Sequence, residues 1–311
     1  ATANAGAATS TICESSTFTL SDALATNAAS LAWTRSGTGT FNFPTIQNPV
    51  YTPSAADIAA GTVTLTLTAT GLSACANASH SKTLLISRQV VADAGPDGIV
   101  CQTGTFPVSG STSQYQGSLS WAHDGSGNLT NPTALHPIYT PDINETGVVN
   151  LTLTANPISP CATVTDVMQI TVNPKAIANA GPDATICETG TYTLSAATAS
   201  GHTGLLWTTA SDGTFDDANV LNPTYTPGAA AIAAGFVDLQ LTSIAHATCS
   251  DASDVIRINI NRQATAVAGL NDTVCQNNSI QLTTASPANY ASVLWTHNGS
   301  GSLSGETTLT P

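Results

Sequence analysis

Residues 48–69 read NPVYTPSAADIAAGTVTLTLTA, and the phrase returns at 222–243 as NPTYTPGAAAIAAGFVDLQLTS. Its second half alternates strictly: Val63, Leu65, Leu67 and Ala69 fall on one face and threonines on the other. That is the period of a β-strand with one face in a core and one in water. The stretch VVNLTLTAN at 148–156 repeats it with Val149, Leu151, Leu153 and Ala155. Ahead of the strand, SAADIAAG predicts a single helical turn, capped by Ser54 and ended by Gly61 in the left-handed region.

Four landmarks recur in register, which identifies a tandem repeat. Trp33, Trp121, Trp207 and Trp295 are spaced 88, 86 and 88 apart, and Cys13, Cys101, Cys187 and Cys275 keep the same three spacings. A second cysteine follows at Cys75, Cys161 and Cys249, and the proline of the NP step at Pro49, Pro137, Pro223 and Pro311. The repeats are expected over residues 1–89, 90–174 and 175–262, with an incomplete fourth over 263–311 and further copies beyond both ends. Repeat two is two residues shorter, because SAADIAAG becomes the tighter DINETG.

Only 8% of the residues are charged, against ~25% in an average soluble chain; threonine, serine, alanine and asparagine take their place. The net charge is −13, from 19 acidic and 6 basic residues, and no basic stripe exists to neutralise a phosphate backbone. Nucleic acid is therefore excluded as a partner. No apolar run is long enough to span a bilayer. Ala1 does not open a signal peptide, so the chain reads as a mature or internal segment.

Further strands are expected in repeat one at 17–21, 30–34, 39–43, 49–52 and 82–87. About seven short strands per repeat, separated by Gly, Pro, Asn and Ser, specify an all-β fold of tandem immunoglobulin-like β sandwiches arranged end to end. Trp33, Trp121, Trp207 and Trp295 are then core residues, not sugar-stacking platforms.

The motifs AGPDATIC, LLWTT, GTF, NPTYTP and SAADIAAGTVTLTLTA, taken together, resemble the PKD-like and Ig-like repeats of giant Bacteroidota surface proteins, gliding-motility adhesins among them. The resemblance covers all 311 residues; repeat four departs from it with AGLND in place of AGPD. It implies secretion to the cell surface and work as an adhesin stalk or filament, and it supplies no catalytic residues.

Paired cysteines in this composition point to structural disulfides in an oxidising compartment, and no close C-x₂-C pair suggests zinc. Two pairings stay open. One bridge per repeat would join Cys13 to Cys75, Cys101 to Cys161 and Cys187 to Cys249. If the first cysteine enters the second strand and the other lies between the last two, however, an Ig-like topology sets them at opposite poles, beyond the ~7 Å reach of a disulfide. Stacked domains would instead join Cys13 to Cys161 and Cys101 to Cys249, each pair 148 apart.

The joints SRQVVADAGPD, NPKAIANAGPD and NRQATAVAGLND are not flexible Gly/Ser linkers, so stiff junctions are expected, each domain adding ~40 Å at ~3.3 Å per residue. No cofactor is expected. Asp97, Asp183 and Asp272 recur near the joints and keep calcium open as an ion that would stiffen them, although one aspartate per joint is too few ligands on its own. His123 and His297 each follow a Trp by two residues and are expected to be exposed; Asp216 and Asp217 read as solvated loop acids, not a catalytic pair. Asn77 and Asn128 open N-x-S/T triplets, and Asp272-Thr273-Val274 resembles a bacterial O-glycosylation acceptor.

No catalytic constellation emerges, so an enzyme is not expected. The leading expectation is a structural, adhesive surface protein whose repeats form a shaft. Its partners would be neighbouring repeats, identical chains in a filament, and surface glycans or proteins met by a tip elsewhere. The alternatives are a multivalent glycan- or protein-binding module, for which Tyr51, Tyr139 and Tyr225 are the remaining recurrent aromatics, and accessory domains of a secreted enzyme.

Overall fold

The computed structural model describes residues 1–311. The chain divides into two compact units, Ala1–Asn173 and Pro174–Pro311. The first unit contains two immunoglobulin-like β sandwiches and the second contains one.

In the first sandwich a four-stranded sheet runs in the order Thr9–Cys13, Ala78–Ser87, Thr62–Gly71 and Ala28–Arg35. Thr9–Cys13 lies parallel to Ala78–Ser87, and the other neighbours are antiparallel. Opposite it, Phe18–Thr19, Val50–Thr52 and Thr40–Phe41 form a three-stranded sheet, and Thr2–Asn4 pairs with Leu24–Thr26. The second sandwich repeats the large sheet with Gly98–Cys101, Val164–Asn173, Gly147–Pro157 and Gln116–His123. The sandwich of the second unit does so with Ala184–Cys187, Ala252–Asn261, Phe236–Ala245 and His202–Thr209.

The alternation in the sequence sorts as expected. Val63, Leu65, Leu67 and Ala69 are buried, as are Val149, Leu151, Leu153 and Ala155. Each such leucine contributes ~1.5–3 kcal/mol by leaving water. Trp33 pairs across the sheet with Leu67 and meets Phe41, which meets Tyr51 at a ring distance of 5.0 Å, tying the two sheets together. The NP step holds a sheet edge: Pro49 and Pro223 accept from the Leu20 and Leu194 amides, and Asn222 Nδ2 donates to Leu194 O at 2.6 Å.

Trp33, Trp121 and Trp207 are buried, but the expectation fails for Trp295, which is only half-buried and lines an open apolar groove with Val267, Tyr290 and Leu309. The cause is sheet pairing. Trp33, Trp121 and Trp207 face Leu67, Leu153 and Leu241 on the following long strand. Residues 263–311 include no such strand and form only an isolated bridge, Thr265 to Ala288.

The helical turn is present as Ala55–Ala60. Ser54 caps it through a reciprocal box with Asp57, and Gly61 ends it at φ 71°. Repeat two has no helix at the shortened segment. In the sandwich of the second unit Gly228 replaces the capping serine before Ala229–Ala234.

Candidate functional site: a disulfide joint and its carboxylate-anchored loops

The parallel pairing decides the cysteine question. It sets Cys13 beside Ser87, at the far end of Ala78–Ser87, whereas Cys75 lies in the loop before that strand. Ten residues of extended chain, ~30 Å at ~3.3 Å per residue, separate two poles that one bridge cannot join. Cys13 is bonded instead to Cys161, with Cα atoms 4.8 Å apart and 148 residues between them. A Cys13–Cys75 or Cys101–Cys161 bridge within a repeat is therefore corrected.

Cys75, Cys187 and Cys275 are exposed free thiols, so Cys75 and Cys187, expected in disulfides, are not bridged in this chain. A Cys187–Cys249 bridge is corrected too. Cys101 and Cys249 are both disulfide-bonded.

The Cys13–Cys161 bridge has a polar collar. Gln89 Nε2 donates to Ala162 O at 2.8 Å, and its Oε1 lies 3.3 Å from Cys13 Sγ. Cys161 Sγ lies 3.4 Å from Ser87 O. Arg88 stacks over the Tyr115 ring at 4.9 Å and approaches Glu14 at 3.7 Å; at this exposure the ion pair adds under ~1 kcal/mol. Only Arg88, Gln89 and Val90 separate Ala78–Ser87 from Val91–Asp93, and Val90 is buried. The linker thus packs between the sandwiches.

A second recurrent feature is a buried tyrosine hydroxyl beside a carboxylate. Tyr51 donates to Asp57 Oδ2 at 2.7 Å, and Asp57 also accepts from the Thr38, Gly39 and Ser54 amides. Burial alone would raise the Asp57 pKa, but the hydrogen bonds from Ser54, Tyr51 and Thr38 outweigh it and bring it down to about 2. Burial, and then Asp57, push Tyr51 above its usual range.

In repeat two Glu145 does the same work, accepting from Tyr139 at 2.7 Å and from the Ser126 and Asp142 amides. In the second unit the position holds Ala231, and the acid has moved to the facing loop, where Asp212 accepts from the Ala230 and Ala231 amides. Tyr225 Oη is left without a carboxylate partner. A glycine covers each hydroxyl, Gly39, Gly127 and Gly213, where a Cβ would collide with the ring oxygen. These acids fasten loops to cores. Nothing in the sequence pattern revealed them, since the acid changes type and position between repeats.

The remaining candidates also serve the backbone. Asp97 accepts from the Gln169 amide at 2.8 Å, Asp183 from Arg257 at 2.9 Å and Asp272 from Thr273 at 2.8 Å. Asp216 accepts from the Thr224 and Asp217 amides, a job Asn42 performs in repeat one. His123, expected to be exposed, is half-buried against the Tyr139 ring; His297 is exposed, and both hold their own turns through Gly125 O and Gly299 O.

No family model and no curated relative matches the chain. Among solved structures it is similar to the I-band fragment I67-I69 from titin, at 11% identity and a TM-score of 0.48, covering 74% of this chain and 87% of that one. It is also similar to protocadherin gamma B2 extracellular cadherin domains 3-6, at 14% identity and a TM-score of 0.38, covering 74% and 67%. Sidekick-1 immunoglobulin domains 1-4 give 11% identity and a TM-score of 0.35, covering 81% and 73%.

Proposed function

We propose that the chain is a spacer segment of a repetitive extracellular adhesin, holding an adhesive tip away from the cell surface for attachment or surface motility. The observation that carries this reading is the Cys13–Cys161 bridge, which joins one sandwich to the next instead of closing either. Covalent staples of this kind belong to oxidising compartments. In this reading the repeating units are those over 1–89, 90–174 and 175–262, with 263–311 an incomplete fourth.

Burial of Tyr51, Tyr139, Tyr225 and three of the tryptophans takes these recurrent aromatics away from the surface, which favours the spacer reading over a sugar binder that repeats one aromatic platform per domain. Negative-stain electron microscopy of the chain tests the reading. Straight particles with a bead repeat near ~40 Å are expected. Beads that bend freely at every junction while the disulfides are intact overturn it.

A further inference from the structure

The chain enters each of the three sandwiches through the same turn. In Ala5-Gly6, Ala94-Gly95 and Ala180-Gly181 the glycines stand at φ 90°, 88° and 90°, and each glycine amide donates at 2.9 Å to the side chain two residues back, Asn4, Asp93 or Asn179. The three alanines are buried, so each of their amides needs an acceptor within the protein. Ala94 N donates to Asp166 Oδ2 at 2.7 Å, and Ala180 N to Asp254 Oδ2 at 2.8 Å. Repeat one has no acid in that place. Ala5 N donates instead to His80 Nδ1 at 3.0 Å. His80, Asp166 and Asp254 are equivalent, each two residues before the core position held by Lys82, Met168 and Ile256.

The exchange of acid for imidazole changes what a proton does. A backbone amide only donates, so the ring nitrogen facing Ala5 carries a lone pair and the ring is neutral, with its hydrogen on Nε2. Protonation places a second hydrogen on Nδ1 and sets two donors face to face. A carboxylate remains an acceptor through the range in which imidazole takes up its proton, ~6.5 against ~4 for acids. The His80 residue is exposed, so a proton reaches the ring without any opening of the sandwich.

No neighbouring group takes over the Ala5 amide. The next charge on the same strand is Lys82 Nζ, which Asp22 holds at 2.9 and 3.1 Å. Asp22 is engaged further by the Ala7 amide at 2.7 Å. The strand Thr62–Gly71, which meets His80 with Leu67, carries no titratable group, and neither do Thr2–Asn4 and Leu24–Thr26.

We infer that the His80–Ala5 contact is an acid-sensitive clip built into the first sandwich alone. While the ring is neutral it fastens the entry turn to the large sheet; as pH falls through the histidine range the clip opens, and the turns at Ala94 and Ala180 stay fastened. The strand it holds, Thr2–Asn4, is the counterpart of Val91–Asp93, onto which Arg88–Val90 lead directly in the next repeat. Mild acid therefore loosens the way into one repeat and leaves the others stiff. The clip lies within one sandwich and does not depend on the spacer reading.

NMR of the ¹⁵N-labelled chain tests it. Long-range ¹H–¹⁵N correlations at neutral pH should show the Nε2–H tautomer for His80. Amide exchange, expressed as protection factors, is then compared between pH ~7.5 and ~5. Protection at Ala5 should fall at least ~3-fold, the worth of one hydrogen bond, while Ala94 and Ala180 stay unchanged. H80D, which installs the residue of the other repeats, should keep Ala5 protected at both pH values. An Nδ1–H tautomer at neutral pH, protection at Ala5 that does not move as the ring titrates, or an equal fall at Ala94 and Ala180 overturns the inference. The tautomer and the pH comparison are read on the unsubstituted chain, so they decide the matter even if H80D does not fold.

Discussion

Replacing Asp57 by alanine measures what the buried carboxylate contributes. It removes the acceptor for four donors: the Thr38, Gly39 and Ser54 amides and the Tyr51 hydroxyl. The first and third amides are partly exposed and can turn to water. The Gly39 amide and Tyr51 Oη are buried, and each orphaned donor costs ~1–3 kcal/mol. Asp57→Ala should therefore destabilise the first sandwich by ~3–5 kcal/mol, at the upper end for single substitutions.

Native-state hydrogen exchange is the assay, with peptides from Thr62–Gly71 as the readout and those from Phe236–Ala245, where Ala231 already lacks the acid, as the internal control. Adding Tyr51→Phe to Asp57→Ala should restore part of the loss, because it removes one orphan. The reasoning is refuted if Asp57→Ala accelerates exchange in Thr62–Gly71 by less than tenfold, or if the control strand changes equally. The sign in acid follows. The Asp57 pKa is depressed to about 2 from 3.8, so its contribution is full above ~4 and lost as pH falls through about 2. At ~1.4 kcal/mol per pKa unit the amount is ~2 kcal/mol, and Asp57→Ala should abolish that part of the acid sensitivity.

Lys82 is buried and paired with Asp22 at 2.9 Å, at a core position that Met168 and Ile256 fill in the other sandwiches. Lys82→Met should leave stability unchanged or raise it by ~1–3 kcal/mol, and a lower urea midpoint would contradict this. Ser111 Oγ donates to Leu135 O at 2.8 Å, while the buried Trp121 Nε1 has no partner; Trp33 and Trp207 use the matching carbonyls of Gln47 and Leu221. Ser111→Ala frees Leu135 O for the indole and should change stability by less than ~1 kcal/mol; a loss above ~2 kcal/mol in urea unfolding would exclude the exchange. Cys161→Ser should accelerate hydrogen exchange in residues 88–90 and 158–163 while leaving Thr62–Gly71 protected. Equal loss in that strand would mean that the bridge supports the sandwich itself.

The long strands were legible because Val63 to Ala69 and Val149 to Ala155 alternate without a fault, and Trp at a fixed interval marked one core per repeat. Short strands such as Thr2–Asn4 and Leu24–Thr26 carry too little apolar contrast to stand out. The disulfide stayed ambiguous because its geometry depends on the parallel pairing of Thr9–Cys13 with Ala78–Ser87, a long-range fact that no local pattern encodes. Trp295 was misplaced for a related reason: the residue is of core type, but its burial requires a strand that residues 263–311 do not contain.

The Cys13–Cys161 bond also redirects mechanical load. Tension applied along the first unit enters through residues 1–13, crosses the sulfur atoms and leaves through residues 161–173, so Thr62–Gly71, Ala78–Ser87 and Gly147–Pro157 lie on an unloaded loop while Val164–Asn173 carries the load. The 148-residue separation is a contour of ~500 Å at ~3.4 Å per residue that pulling cannot release until the bond is reduced. Reduction would turn a short, inextensible tether into one that lengthens as its domains unravel.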